Sequence, residues 1–180
     1  MPAARGNENI NSSTYTIAHG EFIPHMRFDV TVEGPIRSLR RPIFRRVGGN
    51  IRILNPMKGF QVAMAGAIRE SVLPNLTGYC FENEGDGVRV ELEFLFPRPQ
   101  YHFVGGIRGN GVRSKYLHHR HVSTPDVDNL TKFVLDVLTG VVYRDDRIVT
   151  TVVATKGYGA TSEGETIISV SPEVIDLTVV

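Results

Sequence analysis

The sequence predicts a single α+β domain, a small mixed β-sheet with two main helices packed on it. Two stretches alternate with period two, at Phe28, Val30, Val32 and at Val88, Val90, Leu92, Phe94, Phe96, the pattern of half-buried strands. Two others repeat with the helical period, at Phe60, Met64, Ala67, Ile68, Val72 and at Leu130, Phe133, Val134, Val137, Leu138. A chain of 180 residues can bury one adequate core, and no internal repeat or heptad pattern divides it.

Taken in order, residues 1–25 are polar and weakly periodic, which predicts a flexible N-terminal extension before a domain over 26–180. The strand at 28–32 ends at Gly34-Pro35, and an arginine-dense segment follows in which Pro42 and Gly48-Gly49 break any long element. Asn55-Pro56 supplies a helix start and Pro74 closes that helix. Residues 79–87 form an acidic loop before the cleanest strand, 88–96, which Pro97 and Pro99 end. The glycines of GGIRGNGVRSK fit neither the P-loop nor the dinucleotide spacing and predict either a mobile basic loop that orders on DNA or a plain linker. From Asn129 the second helix runs to a stop at Gly140. Val141–Tyr143, a polar break at 144–147 and the β-branched run 148–153 then read as strand, turn, strand. A last strand is expected at 166–170, with an alternating tail at Ile175, Leu177 and Val179.

The richest chemistry lies in HHRHVSTPDVDNLTKFVLDVLTGVVYRDDRIVTTVVATK. Pro125 favours extended backbone around it, so Asp126 and Asp128 are expected to face one side, with Cα atoms about 6.6 Å apart. If the helix and the strand after it pack together, Asp145 or Asp146 can approach that pair. Carboxylates so placed repel and raise one another's pKa unless a cation sits among them. Mg²⁺, with Mn²⁺ as a substitute, suits oxygen donors and keeps sites for water and phosphate oxygens. Each carboxylate also has a plain structural role available, Asp128 as a helix cap and Asp145-Asp146 as turn residues. His118, His119 and His121 lack a second pair of ligands at metal-binding spacing and are read as substrate or supporting contacts.

Net charge is only +1, but the charges are segregated. Between Gly34 and Arg69 there is no acid and there are eight bases, among them Arg37, Arg40, Arg41, Arg45, Arg46 and Arg52. From Phe94 to Pro125 there is again no acid, whereas from Asp126 onward nine acids face four bases. A cationic surface beside an acidic centre is the footprint of a protein that holds nucleic-acid phosphates, and the six arginines are the candidate DNA contacts. The single cysteine, Cys80, excludes a disulfide framework and multi-cysteine zinc sites. No apolar run is long enough to span a membrane and the N-terminus lacks the apolar core of a secretory signal, so a cytoplasmic location, or wherever the target DNA resides, is expected.

The run PDVDNLTKFVLDVLTGVVYRDDRIV resembles the signature of the RusA-like Holliday junction resolvases. The resemblance implies a Mg²⁺-dependent DNA endonuclease acting as a homodimer on four-way junctions, in recombination and repair. It implies that Asp126, Asp128 and Asp146 are the metal-binding catalytic carboxylates, with Lys132 the essential lysine. Lys156, in Lys-Gly-Tyr-Gly, matches a lysine that often follows the signature and joins the arginines as an expected DNA contact. The residues alone also admit a non-catalytic, metal-stabilised DNA-binding protein, or a metal-dependent phosphoesterase acting on nucleotides or other nucleic acids.

Overall fold

The computed structural model describes residues 15–23, 27–81 and 87–173. Five strands form the main sheet: β1 (Thr16–Ile23), β2 (Arg27–Glu33), β5 (Val88–Pro97), β6 (Val149–Gly159) and β7 (Glu165–Pro172), in the order β1-β2-β7-β5-β6. Neighbours run antiparallel except β5 and β6, which are parallel. A parallel pair needs a crossover, and helix α2 (Val127–Leu138) lies within it. A separate two-stranded ribbon pairs β3 (Ile43–Val47) with β4 (Asn50–Leu54), and α1 (Lys58–Val72) follows.

The alternation read from the sequence becomes burial. Phe28, Val30 and Val32 of β2, Val90, Leu92 and Phe94 of β5, and Ile168 and Val170 of β7 point into one core, while Glu91 and Glu93 stay exposed. The helices close that core with Phe60, Met64 and Ile68 from α1 and Leu130, Phe133, Val134, Val137 and Leu138 from α2. Gln61 Nε2 donates to Asp136 Oδ2 at 2.9 Å and ties the two helices together. Asn55 Oδ1 accepts from the Met57 amide at 2.9 Å, satisfying a donor at the start of α1. Cys80 is buried, and burial pushes its thiol up to about 12.

Two expectations need correction. Residues 16–23 of the anticipated flexible extension form β1, paired along β2, and Tyr15 beside it is buried. A register shift between Ile17 and His19 breaks the period-two pattern and hid this strand. Val141, Val142 and Tyr143 are not a strand of the sheet; they are buried in the core, where Val142 O accepts from the amides of Cys80 and Phe81 and Tyr143 makes isolated bridges to Phe81 and Thr139. The loop at 105–111 closes on itself, with the Val104 amide donating to Gly111 O and the Arg113 amide to His102 O. Residues 1–14, 82–86 and the tail at Ile175, Leu177 and Val179 lie outside the described residues.

Candidate active site

Helix α2 starts two residues earlier than its apolar stripe suggests. Asp126 is its N-cap, in extended geometry, and its side chain caps no amide. Asp128 therefore stands in the first helical turn, and the expected extended Asp-x-Asp run becomes a cap and a helical position. Both carboxylates are exposed. Lys132 Nζ lies 3.5 Å from Asp128 Oδ2, one turn along the helix. Gly140, with φ of 79°, ends the helix in the left-handed conformation that glycine adopts without strain.

The chain entering α2 is held from the sheet. Lys156, near the end of β6, donates to Ser123 O at 2.7 Å and to Pro125 O at 2.8 Å. The expectation that this lysine points to DNA is thus redirected: its ammonium fixes the peptide just ahead of Asp126. His121 stacks on Phe96, with ring centroids 3.9 Å apart, and its Nε2 lies 3.3 Å from Ser123 Oγ. Burial, then the neighbouring Lys156 charge, lowers its pKa. His102, stacked on Tyr116 at 4.2 Å, is also buried, and burial lowers its pKa.

The second acidic pair is elsewhere. Asp145 Oδ1 accepts from the Arg147 amide at 3.0 Å, and Oδ2 lies 3.1 Å from Arg147 Nε. That amide bond holds the Asp145 carboxyl below its usual range. Asp146 is exposed and opens the short 3-10 turn that leads into β6. Tyr143 nearby has its hydroxyl pushed above the phenolic range, first by burial, then by the charges of Asp146 and Asp136.

Among the described residues, no three His, Cys, Asp or Glu side chains gather closely enough to hold one metal ion. The expectation that Asp126, Asp128 and Asp146 share a cation at ligand distance is not met in this structure. The reason lies in the crossover: Asp126 and Asp128 open α2, whereas Asp146 precedes β6 at the end opposite to Lys156. The strand between Val149 and Lys156 covers roughly 20 Å at about 3.3 Å per residue. Asp126 and Asp128 alone still fit a hard divalent cation. They offer only oxygen donors, and Mg²⁺ commonly takes one or two carboxylates and fills its octahedron with water and phosphate oxygens.

The arginines divide into two groups. Arg45, Arg46 and Arg52 stand on the β3–β4 ribbon, which turns at Gly48 and Gly49, both with positive φ (56° and 85°), the requirement of a tight two-residue hairpin. Arg45 and Arg52 sit directly opposite each other, a repulsive pairing that an anion would relieve. The other face of the ribbon carries Arg46 among Phe44, Ile51 and Ile53, which are 70%, 69% and 66% exposed. Arg37, Arg40 and Arg41 precede the ribbon, and the Leu39 amide donates to Asn129 O at 3.0 Å, which lays their segment beside the first turn of α2. Sequence reasoning did not foresee that placement; the apolar Ile36 and Leu39 spaced among the arginines were the available signal. No described helix is long and apolar enough to cross a membrane.

Compared with known protein families, residues 33–171 match the model described as Endodeoxyribonuclease RusA. A search of curated proteins finds no match.

Proposed function

The chain belongs to the RusA family of endodeoxyribonucleases, and on that premise we propose that it is a Mg²⁺-dependent resolvase that nicks four-way DNA junctions symmetrically during recombination and repair. The nuclease domain covers residues 26–180, with β1 added at the sheet edge. The observation that carries the reading is the start of α2, where Asp126 at the N-cap and Asp128 in the first turn are exposed and Lys132, one turn further on, reaches back to Asp128, all inside the family match.

In this reading Asp126 and Asp128 would hold Mg²⁺, with Mn²⁺ able to replace it, and Asp146, which stands apart from them in the single chain, is needed for cleavage without completing a three-carboxylate site there. When bound there, the ion would supply an activated water and neutralise charge developing on the phosphate. Lys132, within reach of Asp128, orients the attacking water or stabilises the charged transition state. Lys156 keeps the backbone ahead of Asp126 in place. The ribbon arginines bind duplex arms through phosphates, which makes affinity fall steeply with salt. A twofold homodimer presents two equivalent sites to the two equivalent strands of a junction.

The test is cleavage of a labelled four-way junction beside linear duplex, with Mg²⁺ or with chelator. Metal-dependent paired nicks confined to the junction are expected, and Asp128→Asn and Asp146→Asn should each abolish them while binding persists. Retained cutting by either variant removes that residue from the metal set. Metal-dependent melting without cleavage by the wild-type protein would favour a binding protein instead, and hydrolysis of mononucleotides alone a small-ester phosphatase.

A further inference from the structure

Beside the first turn of α2 lies a cleft of about 330 Å³ whose lining, Pro125 apart, falls outside the signature run. One wall is Ile36, Arg37, Ser38 and Arg40; the other is Thr124 and Pro125, the two residues directly ahead of Asp126. The Leu39 amide, bonded to Asn129 O, fixes the first wall to the helix.

The chemistry of this cavity is that of an anion site. The Arg37 guanidinium lies over the Phe60 ring, 4.1 Å from its centroid, so its position is set by packing. The guanidinium also meets the Tyr15 hydroxyl, but its Nε is buried and has no hydrogen-bond partner, and an unmet buried donor is costly enough to call for an acceptor. Among the described residues neither Arg37 nor Arg40 is paired with a carboxylate. Two guanidiniums with a serine between them suit a phosphodiester, whose oxygens accept the forked donors of arginine.

We propose that Arg37 and Arg40 form the pocket for the phosphate that is cut, touching its non-bridging oxygens on the side away from Asp126 and Asp128. This deepens the resolvase reading and rests on it. With Asp126 and Asp128 neutralised by the ion they would hold, a pair of arginines on the opposite side adds positive charge around the phosphate, and their hold strengthens as negative charge builds on the phosphorus oxygens. Arg37 and Arg40 therefore act on the chemical step, unlike the arginines of the ribbon.

The experiment compares wild type with Arg37→Lys, which keeps the charge and removes the fork. Single-turnover cleavage of a four-way junction at saturating protein is expected to slow about 10²-fold, the usual cost of one oxyanion-stabilising donor. The dissociation constant measured without Mg²⁺ should move less than about threefold, as for an interaction made mainly in the transition state. A junction carrying a single phosphorothioate at the cleaved position, as separated diastereomers, gives a second readout: one isomer that slows the wild type should cause no further slowing in Arg37→Lys. A variant that cuts at the wild-type rate, or that is slow yet keeps both thio effects, overturns the pocket. Should Arg37→Lys fail to fold, Arg40→Gln, at an exposed position, carries the same comparison. A wild-type protein that cuts no junction removes the resolvase reading and this pocket with it, whereas cutting by the wild type with intact thio effects in both variants removes the pocket alone.

Discussion

Lys156→Met separates two roles for one lysine. Methionine keeps most of the apolar stem and removes the ammonium, so the bonds to Ser123 O and Pro125 O are lost with little change in packing. A hydrogen bond from a charged group contributes about 1.5–3 kcal/mol. Lys156 is half-buried, so the lower end applies to each bond, and together they hold the loop by roughly 3 kcal/mol. If that loss falls on the peptide ahead of Asp126, the carboxylate drifts, and a displacement of about 1 Å is enough to reduce turnover about 10²-fold. Single-turnover cleavage should therefore fall between about tenfold and a hundredfold, while the salt dependence of junction binding stays as in the wild type. A phosphate contact behaves differently, because its removal makes the slope of log K against log salt shallower by about 0.9. The His121 ring supplies an independent check: with the Lys156 charge gone, His121 should titrate at higher pH by NMR. Wild-type cleavage combined with a shallower slope would show that Lys156 leaves the loop and meets DNA, and the positioning role would be wrong.

Lys132→Ala should lower single-turnover cleavage far more than junction affinity; equal losses in both would make Lys132 a binding residue. Arg45→Glu with Arg52→Glu should weaken junction binding and flatten its salt dependence by about two phosphate contacts, and an unchanged slope would show that the ribbon does not touch phosphate. Thermal stability should decline on acidification. His102 and His121 both have folded pKa values below the ordinary 6.5, so the unfolded chain binds the extra protons. Their contribution is complete above about pH 6.5 and is lost as pH falls through that value toward the folded pKa. Calorimetry from pH 7.5 to 5 measures this, His102→Phe should flatten the decline, and a melting temperature constant across that range would contradict it.

The elements that could be read in advance are those whose burial follows one period. In β5 the alternation of Val90, Leu92 and Phe94 with Glu91 and Glu93, and in α2 the stripe from Leu130 to Leu138, state which side faces the core, and local spacing is all that such a statement needs. β1 was hidden because a bulge puts its apolar residues out of phase, and Val141–Tyr143 because a short run buried on every side looks alike as strand or turn. The carboxylates were legible as a set of residue types, and their spacing was not. Asp126 and Asp128 belong to one turn, whose geometry local sequence dictates, but the distance from there to Asp146 depends on how far α2 carries the chain down the sheet before β6 returns it. The same long-range geometry placed Lys156 and Arg37 near the residues just ahead of Asp126, although both are distant from them in sequence. A site built at the open end of a crossover collects side chains from whatever elements end there. In this chain those elements are the sheet through Lys156 and the arginine segment through Leu39, so the surroundings of the first helical turn of α2 are set by tertiary contacts that no local pattern records.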